Sequence, residues 1–119
     1  MSGTIYKIVP KDAWAEAVTR GQLSGSPVDT RDGFIHFSTA SQVRETAAKH
    51  FAGATDLVIV AVSTAALGPQ LRWEPSRGGD LFPHLYADLP LAAVRSVSPL
   101  PLGDDGAHVF PELSSPRQT

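Results

Sequence analysis

The stretch "DLVIVAV" at residues 56–62 is an apolar run with no polar residue between Asp56 and Ser63. A strand with one wet face alternates polar and apolar side chains, so an unbroken run of strand length reads as a strand covered on both faces. Such a strand belongs at the centre of a sheet and needs an apolar layer on each side. The rest of the chain has to supply those layers. At 119 residues it is long enough to do so as a single domain, with a core over about residues 4–100 and a Pro-rich tail over 101–119.

The flanking segments alternate in type. "TIYKIV" (4–9) alternates and stops at Pro10, so it reads as a first strand. "KDAWAEAVTR" spaces Ala13, Trp14, Ala17 and Val18 as a helix does, with Gly21 as its stop. Residues 22–33, rich in Gly, Ser, Pro and Asp, read as a loop. In "DGFIHFST" (32–39) Ile35 and Phe37 share one face of a strand, and Phe34, His36 and Ser38 the other. A helix follows, with Thr39 and Gln42 at capping-box spacing, Val43, Ala47 and Phe51 on one face, and Gly53 at its end. After the central strand, "TAALG" reads as one helical turn. "LRWE" (71–74) reads as a strand with Leu71 and Trp73 inward and Arg72 and Glu74 outward. "PHLY" puts His84 and Tyr86 on one side if extended, and "AAVRSVSPL" is a last strand. Mixed elements too irregular for regular βαβ units favour an α+β fold around a strongly bent sheet, with a flavodoxin-like parallel sheet as the alternative.

Composition narrows the function classes. The absence of cysteine removes thiol nucleophiles, disulfides and Cys-based zinc sites. A net charge of −2 with scattered basic residues gives no global field for a nucleic-acid backbone, so a bound anion must be held by a local cluster. No window approaches the roughly 18 apolar residues of a membrane span, and "MSGTIYKIVP" is not a signal sequence. The expectation is a cytoplasmic monomer or weak oligomer, without a membrane.

Chemistry-bearing side chains fall into four groups: Phe34/His36/Ser38, Arg72/Glu74, the loop "SRGGD" (76–80) with Arg77, and His84/Tyr86. Polar and ring-bearing residues gathered at strand ends and in one loop are the usual lining of a pocket. Each also has a plain structural reading. Taken alone, His36 reads more often as a satisfied strand histidine, Ser38 most simply as a helix cap, Arg72 with Glu74 as an exposed ion pair, and "RGG" as a surface turn. Tyr86 is either a stacking ring or a core residue with a tied hydroxyl. His36, His84, Glu74 and Asp80 lack the "HxxxH" or "HExxH" spacing of a helical metal site, and no metal is expected. "GxSxG", "GxGxxG" and "GxxxxGK" are absent as well.

Taken in order, "IYKI", "DGFIHFST", "RWEPSRGG" and "FPHLY" resemble the bacterial family known as domain of unknown function 952, over about Ile5 to Glu112. The resemblance implies an ADP-ribosyltransferase-like fold, a split and bent sheet whose cleft holds NAD in active relatives. It places Lys7 at the first-strand position that contacts the ribose, His36 and Ser38 facing the cleft, and Phe34 or Tyr6 offering a ring. Glu74 would be the acid that stabilises an oxocarbenium-like transition state, His36 would orient the ribose, and Arg77 would hold pyrophosphate. The other reading is a catalytically silent module on the same fold, binding a small anionic ligand or a peptide.

Overall fold

A computed structural model of the chain describes residues 3–76 and 79–113. Its first sheet runs β1 (Thr4–Pro10), β4 (Leu57–Ser63) and β8 (Val94–Pro99), with β4 in the middle and both pairings antiparallel. Every residue of β4 is buried. Val58, Val60 and Val62 enter one apolar cluster with Ile5, Val9, Ala17, Ile35, Phe37, Leu85 and Leu89. Leu57, Ile59 and Ala61 enter a second with Tyr6, Ile8, Val43, Ala47 and Leu100. Strand alternation thus feeds two cores, and burying each large aliphatic side chain of β4 contributes about 2 kcal/mol.

The covering helices are α1 (Lys11–Arg20), which closes on Gly21 in the left-handed region, and α3 (Val43–His50). Half of the expected capping box forms at α3. The Gln42 side chain accepts the Thr39 N–H, whereas the Thr39 hydroxyl pairs with Ser41. A turn over residues 40–42 therefore precedes the helix, and Gly53 lies three residues past its end.

A second three-stranded sheet is formed by β3 (Ile35–His36), β6 (Leu81–Leu85) and β5 (Leu71–Pro75), in that order. Tyr6 and Ser38 exchange backbone N–H···O bonds of 2.7 and 2.9 Å, which tie this sheet to β1. A short pair, β2 (Gln22–Leu23) with β7 (Leu89–Pro90), is the remaining strand pairing among the described residues. All of them are antiparallel, which overturns the flavodoxin-like alternative. The architecture is mixed α+β with short antiparallel sheets.

Three local expectations are corrected. The supposed loop 22–33 contains β2 and a helix, α2 (Pro27–Asp32). Ser26 caps that helix through a complete capping box with Asp29, and Pro27 occupies its first turn. Trp73 is 46% exposed instead of inward, because β5 is the edge of its sheet and the core takes in Leu71 but not Trp73. Residues 101–113 are also less of a tail than their proline content suggests. Leu102 bridges to His108, the His108 Nε2 lies 3.0 Å from the Ala54 carbonyl, and Phe110 and Leu113 pack on the second cluster.

Candidate functional site

Across β3, β6 and β5, His36 is in register with His84 and His84 with Arg72, while Ile35, Leu85 and Leu71 form the adjacent row. Registered residues share a face. The row of Ile35, Leu85 and Leu71 goes to the core, which sends both histidines to the opposite side. There Phe34 stacks on His84 with ring centroids 4.1 Å apart and lies 4.6 Å from His36 and 5.1 Å from Tyr86. The two imidazoles are 5.4 Å apart. Alternation in "DGFIHFST" therefore gives the right face, although regular pairing is limited to Ile35–His36 and the Ser38 bridge.

His36 is held by α2. Its Nδ1 is 2.6 Å from Asp29 Oδ1, and its backbone N–H donates to the same oxygen at 3.2 Å. The other Asp29 oxygen accepts from Lys7 Nζ at 2.9 Å and from the Ser26 N–H at 2.9 Å. Lys7 also donates to the His36 carbonyl at 3.1 Å. Burial by itself would push the Asp29 carboxyl up. The His36 hydrogen bond, the Lys7 charge and hydrogen bond, and the Ser26 N–H outweigh it and hold Asp29 well below the usual carboxylate range. On its far side the His36 ring meets Asp32, with Nε2 3.0 Å from Oδ2. Both ring nitrogens are thus engaged by carboxylates.

Asp29 and Asp32 are the residues that the sequence reading missed, since it took their segment for a loop. The signal was present in "GSPVD": a Ser followed by Pro, with an acid three positions on, starts a helix. Gly25 belongs to the same arrangement. Its φ is +102°, and a Cβ there would come within 2.7 Å of the Asp29 Cβ, so only glycine lets the chain close over the buried carboxylate.

His84 is held differently. Its Nδ1 is 2.8 Å from Glu74 Oε1, and the Tyr86 hydroxyl donates to that same oxygen at 2.7 Å. These two bonds, His84 first, pull the Glu74 carboxyl below its ordinary value, and the bond to Glu74 raises the Tyr86 phenol. Arg72 lies over the Tyr86 ring at 5.2 Å. The other nitrogen of His84 is buried and has no hydrogen-bond partner among the described residues.

A cavity of about 520 Å³ opens where the two sheets meet, and Tyr6, Lys7, His36, Ser38 and His84 all line it. Val43, Phe51 and Phe82 supply apolar wall, and Asp29 and Asp32 border it from α2. Ser38 pairs with Thr46 at 2.9 Å, and Thr46 donates in turn to the Gln42 carbonyl, so the Ser38 hydroxyl donates into α3. Glu74, Tyr86, Arg72 and Phe34 are not lining residues: they contact the histidines and one another. Ser76 reaches the cavity, whereas Arg77 lies outside the described residues. Among the described residues no group of three His, Asp or Glu gathers to hold a metal ion. Nor is any described helix long and apolar enough to cross a membrane.

Fold and site together define an α+β protein with two joined antiparallel sheets and a histidine-lined cavity at their junction. The chain belongs to the family described as protein of unknown function (DUF952), whose model matches residues 8–97. It is 46% identical to protein CC0527 from Caulobacter crescentus, a structural-genomics target solved by X-ray crystallography. That match has a TM-score of 0.86 and covers 89% of this chain and 93% of the other. With the solution NMR structure of CC0527 the identity is 47%, the TM-score 0.79 and the coverage 87% and 90%. No curated protein matches the sequence.

Proposed function

We propose that the cavity is a ligand site for a nucleotide-class small molecule, with NAD or a related nucleotide as the candidate and an ADP-ribosyltransferase-like cleft as the frame. The observation that carries the reading is convergence. Side chains from β1, β3 and β6 that stand far apart in sequence meet on one cavity whose volume lies within the range of small-molecule sites. Its lining joins apolar and aromatic wall to hydroxyls and imidazoles, which suits a heterocycle attached to a sugar. Lys7 is already neutralised by Asp29, so this cavity favours the uncharged part of such a ligand over its phosphates. Glu74 acts in this reading through His84 and not by touching the ribose.

A silent binding module remains the second reading, favoured by the state of the acids. Asp29 accepts from four donors, and Glu74 is held by His84 and Tyr86. Thermal unfolding with NAD, ADP-ribose and AMP, followed by product analysis, tests both. A ligand at a hundredfold excess over its Kd adds about 2.7 kcal/mol of stability, a shift of several degrees in Tm. A shift with intact NAD supports the module, and a shift with release of the base supports the enzyme. No shift with any of the three contradicts the nucleotide assignment.

A further inference from the structure

We infer that His84 is the hydrogen-bond acceptor of this cavity: its Nε2 takes an O–H or N–H of the bound molecule, so the site selects ligands that bring a donor to the wall formed by β3 and β6. The inference rests on the cavity being a ligand site and names the chemistry that site asks for.

Three observations lead to it. First, Glu74 Oε1 accepts from both His84 Nδ1 and the Tyr86 hydroxyl, which makes Nδ1 the protonated nitrogen of the ring. A neutral imidazole with Nδ1–H carries a lone pair on Nε2. Second, that Nε2 is buried, on a residue only 4% exposed, and has no partner among the described residues. Buried polar atoms are almost always satisfied, and an exception asks for a missing partner. Third, the ring cannot easily turn to find one elsewhere, because Phe34 stacks against it at 4.1 Å and 27° while Glu74 holds its other edge. His36 supplies the contrast. It lines the same cavity, yet Asp29 and Asp32 occupy both of its nitrogens. Of the two imidazoles, only that of His84 has an acceptor left to give.

The test uses phenol, which carries a donor, and anisole, which does not, titrated into the full chain with ¹⁵N labelling. Long-range ¹H–¹⁵N spectra of the free protein are expected to show His84 protonated at Nδ1 and bare at Nε2. Phenol is expected to shift the His84 Nε2 resonance and to bind about fivefold tighter than anisole, the factor that one net hydrogen bond supplies. In Glu74→Gln, whose amide can also donate to Nδ1, that preference is expected to shrink. A proton on Nε2 in the free protein, equal affinities for the two probes, or no response of His84 to phenol overturns the inference; so does a lone water that phenol does not displace. A phenol preference without any nucleotide response leaves this inference standing and removes the nucleotide assignment. Nucleotide binding that leaves His84 unmoved does the reverse.

Discussion

His36 and His84 sit opposite each other on neighbouring strands, line the same cavity, and each lays Nδ1 against a carboxylate, at 2.6 Å from Asp29 and 2.8 Å from Glu74. They differ at the other nitrogen. His36 Nε2 meets Asp32, whereas His84 Nε2 has no hydrogen-bond partner among the described residues. The first arrangement is closed: every strong polar group in it answers another, and it staples α2 to β1 and β3. The second leaves one nitrogen of a cavity-lining residue without a hydrogen-bond partner among the described residues. One residue type on one strand face therefore serves two purposes, and the second-nitrogen partner decides which. An ion cluster satisfied around a buried carboxylate can specify a packing arrangement, while an unsatisfied atom of a cavity-lining residue is what a ligand can complete.

The closed cluster is the place to look for the largest effect. Asp29→Ala leaves Lys7, 10% exposed, without its counter-charge and takes away the α2 capping box, so a loss of about 3 to 5 kcal/mol is expected in urea unfolding. A loss under 1 kcal/mol would make the two histidine sites energetically alike and break the comparison. The same carboxylate sets an acid limb. Its folded pKa lies below the unfolded value, so its stabilisation is present in full above the unfolded carboxylate range and fades as pH falls through that range and below. Unfolding free energy measured from pH 7 downward is expected to drop on this limb, and Asp29→Asn is expected to flatten it. Glu74 shifts in the same direction, but its carboxyl is only half-buried, so solvent screens it and it adds little.

Smaller effects sharpen the contrast. Gly25→Ala puts a Cβ against Asp29 in a left-handed conformation, and a loss of about 2 kcal/mol in thermal or urea unfolding is expected. On the open side, Arg72→Ala removes a surface cation over the Tyr86 ring and is expected to cost about 0.5 kcal/mol by the same measurement.

The difference between the two clusters also explains what could be read from the sequence. The double-sided burial of β4, the helix of "KDAWAEAVTR" and the facing of His36 and Ser38 follow from local periodicity, so they were legible. His84 and Tyr86 were legible as a pair on one side for the same reason. Asp29 was not, although its capping signal was, because its role depends on Lys7 and His36, which lie 22 and 7 positions away and meet it only after the sheets join. Trp73 failed in the same way: alternation gives the face of a strand, but whether anything covers that face at a sheet edge is decided elsewhere in the fold. The register of β3 on β6 added what periodicity could not give for His36. It placed a second histidine beside it and so moved the interest of the site from the residue that stands out in the sequence to its neighbour.

The central claim is that His36 belongs to the scaffold and His84 to the ligand. The most direct test measures urea unfolding and phenol binding side by side on His36→Phe and His84→Phe. The expected result for His84→Phe is stability within about 1 kcal/mol of the parent, since an unsatisfied buried atom is removed along with one partly exposed hydrogen bond, together with loss of the preference for phenol over anisole. His36→Phe is expected to lose about 2 kcal/mol, by stripping Asp29 of a donor, and to keep that preference. The opposite pattern, with His84→Phe strongly destabilised and His36→Phe blind to phenol, would contradict the account.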